Sequence, residues 1–354
     1  MQGGGAERVM LNLARGFVGR GIDVDLILVH PEGTYLSEVP ESVRVVDLGA
    51  SRILTSLPQL VRYFRREKPD AFLSALESPN IASLWAHRIA RSDSRIVVST
   101  HNTLSAIYRN PPNWQARLAP FLARNFYPWA DSVVTVSEGA ATDLREIANL
   151  SKEHVRVIYN PIVTPELRAK TKEKTDHSWL ESSEQPVILG IGRLTAQKNF
   201  PLLLRAFSRV RNRIEARLII LGEGENRNEL RTLAEELNID DDVDLHGFVD
   251  NPLAYLSEAS VFALSSDFEG LPTVLIEALA SGCPIVSTDC PSGPREILQG
   301  GRWGTLVPVG DEEALATGIL QAIESPERRN ELRDRSKDFS ISRAVDQYLD
   351  VLIG

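Results

Sequence analysis

Cysteine is scarce: Cys283 and Cys290 are the only two among 354 residues, and both sit on one short stretch. Neither has a His or Cys neighbour at zinc-ligand spacing, so a reduced, cytoplasmic setting is expected. No apolar run approaches the roughly 20 residues needed to span a bilayer. The N-terminus lacks the basic-then-apolar layout of a signal peptide. Repeats and low-complexity tracts are missing. No GxGxxG follows a strand with an acid about 20 residues further on, which removes the dinucleotide-binding dehydrogenases. Acid is missing from one long stretch. Residues 101–130 hold Arg109, Arg117 and Arg124 with Trp114, Phe121, Phe126, Tyr127 and Trp129, but no Asp or Glu.

What is present is an ordinary globular composition, with 43% hydrophobic and 25% charged residues. The length makes two domains the natural expectation. The net charge of -9 is unevenly spread. Residues 1–165 carry 18 Lys and Arg against 16 Asp and Glu, whereas residues 166–354 carry 21 against 32. An acidic half beside a mildly basic one argues against a general nucleic-acid binder. It leaves the first half free to meet an anionic partner such as a membrane surface.

Strand and helix patterns alternate along the chain. Strands are predicted at 22–29, 43–48, 70–76, 95–100, 131–136 and 155–158, with helices between them. Residues 162–185 are polar and read as an inter-domain segment. The alternation then restarts, with strands at 186–191, 217–221, 243–247, 261–264 and 284–287 and helices at 311–324, 326–336 and 340–352. This βαβα order means an α/β protein with doubly wound parallel sheets. The predicted division is a first domain over 1–165, a linker over 166–185, a second domain over 186–338 and a terminal helix over 339–354. In such sheets ligands bind beyond the carboxyl ends of the strands, so the strand-end loops are where function is sought.

Several of those loops carry chemistry. Gly3-Gly4-Gly5 feeds a helix N-terminus, an arrangement whose free backbone N–H groups suit a phosphate. A central strand should precede such a loop, and only Met1-Gln2 does, so either the true start lies upstream of Met1 or the first sheet lacks its first strand. His101 follows the 95–100 strand, where a lone histidine is more often structural than catalytic. Arg193 and Lys198 flank one loop, and two cations there suit a diphosphate. Gly222-Glu223-Gly224 and His246-Gly247-Phe248 end the next two strands. Glu269 stands before a helix and Glu277 inside it. Such a pair lines one wall at two depths, and carboxylates accept hydrogen bonds from vicinal hydroxyls. Asp240-Asp241-Asp242 and Asp244 offer a formal DxD metal pattern, but their position between a helix and a strand reads as a solvated acidic turn. The 53–68 segment is amphipathic, with Arg62, Arg65, Arg66 and Lys68 opposite its apolar side, as for a helix packed normally on its sheet. The aromatic, acid-free 101–130 segment reads instead as a membrane-facing or acceptor-facing surface.

The ordered run Glu269-Gly270, Pro272, Glu277-Ala278, Ala280, Gly282 and Pro284-Ile285 resembles the donor-binding signature of the retaining nucleotide-sugar glycosyltransferases of family 4, the group 1 glycosyltransferases. The Gly-rich start, Gly192-Arg193 with Lys198-Asn199, and Gly222-Glu223-Gly224 resemble other loops of that family. The resemblance implies the GT-B fold: two Rossmann-like domains facing a central cleft, with the last helix crossing back to the first domain. It implies sugar transfer from a nucleoside-diphosphate sugar, UDP-sugar favoured, to an acceptor hydroxyl with retention of configuration. The expected setting is polysaccharide or glycolipid assembly on a polyprenyl-diphosphate carrier, with no metal and no cofactor. By the same resemblance Glu277 is expected at the donor ribose, Glu269 at the transferred sugar, Arg193 and Lys198 at the diphosphate, and His101 facing the reacting sugar. Gly4, Gly5, Gly222, Gly224, Phe248, Gly270 and Leu271 would complete the donor site. The alternatives are a nucleotide-sugar 2-epimerase of the same fold and an inactive partner that only binds the nucleotide sugar.

Overall fold

The computed structural model describes residues 5–31, 35–101, 105, 118–181, 185–291, 293–324 and 329–354. It divides into two compact units, one of residues 1–161 with 339–354 and one of residues 162–338. Unit 1 runs α1 (Gly5–Val18), β1 (Asp25–Leu28), β2 (Arg44–Asp47), α2 (Leu57–Glu67), β3 (Ala71–Ala75), α3 (Glu77–Ala90), β4 (Arg95–Thr100), α4 (Ala119–Phe126), β5 (Ser132–Thr135), α5 (Glu138–Ala148) and β6 (Val155–Val157). Unit 2 runs α6 (Pro165–Lys170), α7 (Ser178–Glu181), β7 (Val187–Ile191), α8 (Phe200–Arg211), β8 (Arg217–Leu221), α9 (Arg227–Glu236), β9 (Val243–Gly247), α10 (Pro252–Glu258) and β10 (Val261–Leu264). It continues through α11 (Thr273–Ser281), β11 (Ile285–Thr288), α12 (Pro294–Ile297), β12 (Thr305–Val307), α13 (Glu312–Glu324) and α14 (Arg329–Ser336). The last helix, α15 (Ile341–Ile353), belongs to unit 1.

Strands β3, β4, β5 and β6 pair in that order, all parallel. The alternation of side chains along a strand divides β4 between two cores. Ile96 and Val98 pack under α3, α4 and α5 with Leu84, Ala123, Tyr127 and Leu144. Val97 packs on the other face with Val9, Leu13 and Phe17 of α1 and Val345 and Tyr348 of α15. The two helices on that face approach closely at Gly16, where a Cβ would lie 2.2 Å from a Val345 methyl carbon. β1 and β2 form a separate parallel pair, and among the described residues no strand joins β1 to β3.

Unit 2 holds a six-stranded parallel sheet in the order β12-β11-β10-β7-β8-β9. The chain winds outward from β7 through β8 to β9, then returns to β10 on the other side of β7. The reversal between β7 and β10 is a topological switch point, the place in such sheets where ligands bind beyond the strand ends. The polar segment 166–185, expected as a linker, carries the short helices α6 and α7 and groups with unit 2. Among the described residues no helix is long and apolar enough to cross a membrane.

Candidate functional site

In unit 2 the two switch-point loops are tied together side chain to side chain. After β7, Thr195 to Asn199 form a tight turn, and Asn199 adopts left-handed φ 44°, ψ 48° to cap α8 by accepting from the Leu202 N–H at 3.2 Å. The same Asn199 donates to Asp267 Oδ1 at 2.7 Å, and the Asp267 N–H donates to the Gln197 carbonyl at 3.0 Å. The Ser265 hydroxyl donates to the Lys198 carbonyl at 2.8 Å. This framing brings the Lys198 ammonium onto Glu269 Oε1 at 2.5 Å, and the Ser266 hydroxyl donates to the same oxygen at 2.7 Å. Lys198 is 18% and Glu269 8% exposed, so the pair is largely shielded from water. Among the described residues Arg193, on the same loop, is exposed and has no ion-pair partner.

Glu277 lies on the second turn of α11, whose Val274, Leu275, Ile276, Ala278 and Leu279 are buried. Its own surface is only half-covered, yet the dense apolar shell strips water from the carboxyl and pushes its pKa up to about 7. The structure gives Glu277 no hydrogen bond to Glu269 or Lys198 among the described residues. Pro272 precedes the helix and Gly282 ends it at φ 75°.

The glycines of these loops let backbone approach backbone. At Gly222, with φ 137°, a Cβ would stand 2.0 Å from the Gly192 carbonyl oxygen. At Gly224 it would stand 2.4 Å from the Leu194 carbonyl oxygen, so the β8 loop is pressed against the loop that carries Arg193 and Lys198. Gly270 faces open space, whereas a Cβ on Gly293 would meet the Gly270 carbonyl at 2.9 Å. Leu271 is half-buried beside it, and Phe248 after β9 is 78% exposed.

In unit 1, Gly5 is the first residue of α1, and Gly4 lies outside the described residues. His101 follows β4, and its ring Nε2 is 3.4 Å from the Ser99 hydroxyl. Burial pushes the imidazole pKa down to about 4, against a smaller opposing effect of a hydrogen bond with Asn160, so the ring is neutral at pH 7. Ser99 also reaches the buried Tyr348 hydroxyl at 3.3 Å, which ties the β4 end to α15. Residues 102–104 and 106–117, with Arg109, Trp114 and Arg117, lie outside the description. Of the remaining aromatics in 101–130, Tyr127 is buried in the core, Phe126 and Trp129 meet edge to face, half-buried, with ring centroids 4.9 Å apart, and Phe121 is 64% exposed.

The acidic turn is engaged in structure. Asp242 pairs with Arg211 at 2.6 Å and Arg217 at 3.1 Å. Asp244 joins His177 and His246, whose ligand atoms lie within 4.8 Å of one another. The Trp179 N–H donates to His177 Nδ1 at 3.2 Å, which leaves the proton on Nε2 to reach Asp244 Oδ2 at 3.0 Å. His246 Nδ1 donates to the same oxygen at 2.9 Å, and its Nε2 accepts from the Tyr255 hydroxyl at 3.0 Å. Donors and acceptors are thus matched across the cluster.

The sequence reading missed Ser266 and the Asn199–Asp267 latch. Small polar residues at strand ends carry no spacing signal, and their partners are 68 residues apart in the latter case.

Comparison with known proteins agrees with this architecture. Residues 3–165 match the model described as Glycosyltransferase Family 4, and residues 171–339 match Glycosyl transferases group 1. The N-acetylgalactosamine-N,N'-diacetylbacillosaminyl-diphospho-undecaprenol 4-alpha-N-acetylgalactosaminyltransferase of Campylobacter jejuni is 32% identical, over 99% of this chain and 96% of that one. The lipopolysaccharide core biosynthesis glycosyltransferase LpsE of Rhizobium meliloti is 28% identical over the same shares. The crystal structure of Anabaena HepE in complex with UDP superposes with a TM-score of 0.78 at 21% identity, covering 99% of this chain and 98% of that one.

Proposed function

The chain belongs to the group 1 glycosyltransferases, with the GT-B fold, and from that premise we propose that it transfers a sugar from a UDP-sugar to a hydroxyl of a polyprenyl-diphosphate-linked glycan, with retention of configuration. The observation that carries this reading is the Lys198–Glu269 pair at the switch point of the unit 2 sheet. A cation and a carboxylate held side by side match the two ends of the bond to be broken. Lys198 and the exposed Arg193 face the diphosphate, Arg by a bidentate fork and Lys as a point charge. Glu269 takes hydroxyls of the sugar, and Glu277, deeper on α11, takes the ribose.

In the reaction the bond from the anomeric carbon to the diphosphate oxygen breaks and a bond from the acceptor oxygen forms on the same face. The acceptor proton passes to the departing phosphate oxygen, so the products are UDP and the extended glycan. The protein's work is orientation and stabilisation of charge on the leaving diphosphate. His101, neutral at pH 7, accepts or donates one hydrogen bond to the reacting sugar without adding charge. The cations assigned to the diphosphate make a metal unnecessary in this reading. HepE has been solved with UDP and UDP-glucose, and the Campylobacter relative carries diphospho-undecaprenol in its name, which supports the donor and acceptor classes.

The same reading places the protein peripherally on the cytoplasmic face of a membrane. Trp85 and Ile89 of α3 and Phe121 of α4 are 39%, 44% and 64% exposed. Arg62, Arg65 and Arg66 of α2, Arg88 of α3 and Arg124 of α4 are exposed on the same helical layer. Aromatics with arginines suit an anionic headgroup region.

The test is hydrolysis and transfer across UDP-, GDP- and ADP-sugars with and without EDTA, using a polyprenyl-diphosphate-linked sugar as acceptor. The expected outcome is UDP release that requires the acceptor and persists in EDTA, with an α-configured product from an α-linked donor. Donor consumed equally without acceptor, or activity lost in EDTA and restored by Mn²⁺, would overturn it.

A further inference from the structure

Segment 166–185 is held to the outer strand of the unit 2 sheet at a cluster that the donor assignments do not use. β9 is the last strand of that sheet, and alternation along it puts Asp244 and His246 on one face. His177, just before α7, comes over that face, with its ring centroid 5.1 Å from that of His246. Flanking contacts fix the segment on both sides. The Thr175 hydroxyl donates to Glu258 Oε2 at 2.7 Å, and the Asn251 amide donates to the Lys170 carbonyl at 3.1 Å. The Arg217 guanidinium lies 4.7 Å from the Trp179 ring centroid.

The geometry at the centre is that of a ligand set. His177 Nε2, Asp244 Oδ2 and His246 Nδ1 all lie within 4.8 Å of one another, the carboxylate oxygen at 3.0 and 2.9 Å from the two nitrogens. A tetrahedral zinc ion about 2.1 Å from each ligand sets its ligands roughly 3.4 Å apart, so the carboxylate need withdraw by only about half an ångström. The His177 side chain is 8% exposed, whereas Asp244 and His246 are 35% and 33% exposed. An ion there is anchored on its inner side and open to a water on its outer side. The surroundings are acidic. After burial, Asp176, Asp244 and Glu258 together hold the Tyr255 hydroxyl above its ordinary pKa, and Arg217 is itself paired with Asp242.

We propose that His177, Asp244 and His246 form a binding site for a divalent transition-metal ion of the zinc type. Two imidazoles with one carboxylate suit that class, whereas magnesium and calcium call for oxygen ligands. The ion takes the place of the two protons that now lie between the rings and Asp244. His177 then carries its proton on Nδ1 and His246 on Nε2, and the Tyr255 hydroxyl turns to accept. The Trp179 N–H contact to His177, at 3.2 Å the longest of the four, is given up. The role is a clasp between segment 166–185 and β9, separate from the chemistry assigned to Arg193, Lys198 and Glu269. An ion that binds the folded chain and not the unfolded one adds its binding free energy to stability.

The experiment uses the untagged full chain, stripped with EDTA and freed of chelator by gel filtration, with Zn²⁺ and Co²⁺ as probes. Calorimetry should show one Zn²⁺ bound per chain, and Co²⁺ should give the intense visible bands of a four-coordinate complex. A hundredfold excess of Zn²⁺ over its dissociation constant should raise the melting temperature by roughly 5–11 °C for a unit of this size, and Mg²⁺ should not. His177→Gln and His246→Gln should each weaken Zn²⁺ binding by more than about tenfold and remove the Co²⁺ bands. Asp241→Asn, an exposed acid on the neighbouring turn, should bind as the wild type does. Circular dichroism checks that the variants are folded, and Asp244→Asn, which keeps the size of the side chain, replaces a histidine variant that is not. A wild type that binds neither ion would overturn the site. So would Zn²⁺ binding that survives loss of the histidines, or that is lost in Asp241→Asn.

Discussion

The pairing of Lys198 with Glu269 makes a prediction about stability that is separate from catalysis. Lys198→Met removes the cation from a carboxylate that is only 8% exposed. Breaking a buried pair from one side leaves an uncompensated charge and costs about 3–5 kcal/mol. The Ser266 hydroxyl still donates to Glu269 Oε1, so the low end, about 3 kcal/mol, is expected here. For a unit of this size that is a loss of roughly 6–12 °C in melting temperature. Replacing both partners, as Lys198→Met with Glu269→Gln, removes the charge that was left stranded. The double variant should return to within about 1 kcal/mol of the wild type, since neutral substitutes for buried pairs are commonly tolerated. Saturating UDP adds a second measurement. A ligand at a hundredfold excess over its dissociation constant stabilises the folded protein by about 2.7 kcal/mol, and both Lys198 variants should lose most of that increment. Circular dichroism melts of the three proteins with and without UDP decide the matter. A double variant no more stable than Lys198→Met would refute the ion-pair argument, and an undiminished UDP increment would refute the diphosphate assignment.

Two buried groups should shape the pH dependence of stability with opposite signs. His101 has its pKa depressed from 6.5 to about 4, so its contribution is present above pH 6.5 and is lost as pH falls towards 4; His101→Gln should flatten that acid-side loss, about 3 kcal/mol at most, in urea titrations read from pH 7 to pH 4. Glu277 has its pKa raised from 4.5 to about 7, so its contribution is present below pH 4.5 and is lost as pH rises through 7; Glu277→Gln should gain on the wild type between pH 5 and 8, and a constant difference over that range would contradict the burial argument. Gly222→Ala forces a Cβ to 2.0 Å from the Gly192 carbonyl at φ 137° and should destabilise unit 2 by at least about 3 kcal/mol, whereas Gly270→Ala meets nothing within 4 Å and should change stability by less than about 1 kcal/mol in the same thermal melts.

The fold was legible where physical signals were local. β4, β8, β9 and β10 are short apolar or alternating runs bounded by charged or turn residues, and they fall on the residues the pattern picks out. The α3 helix starts at Glu77, directly after the predicted 70–76 strand, because Pro79 fits the first helical turn. The edge strand β12 went unread. It is three residues long, and its neighbours Trp303, Gly304 and Pro308 read as loop; only pairing of Thr305 to Val307 with β11 makes it a strand. The separation of β1 and β2 from the other four strands of unit 1 was likewise beyond periodicity, which reports an element's inward face and not its neighbour.

The site was legible to the same depth. Glu269 and Glu277 stand out because one strand, one loop and one helix carry both, so their spacing along the chain is their spacing in space. Lys198 and Glu269 are 71 residues apart, and nothing in either loop says they touch. Strand order supplies the missing step, since placing β10 beside β7 makes the two loops neighbours at the point where the winding reverses. Glu77 illustrates the deeper limit. As a lone acid at the end of a strand it reads as a solvated helix start, yet among the described residues its Oε1 finds no donor, the nearby Asn80 amide and Leu76 N–H both going to the Ser99 carbonyl. A sequence displays the groups a chain owns. The structure displays which of them remain unmatched after folding, and a ligand is recognised by what is left over.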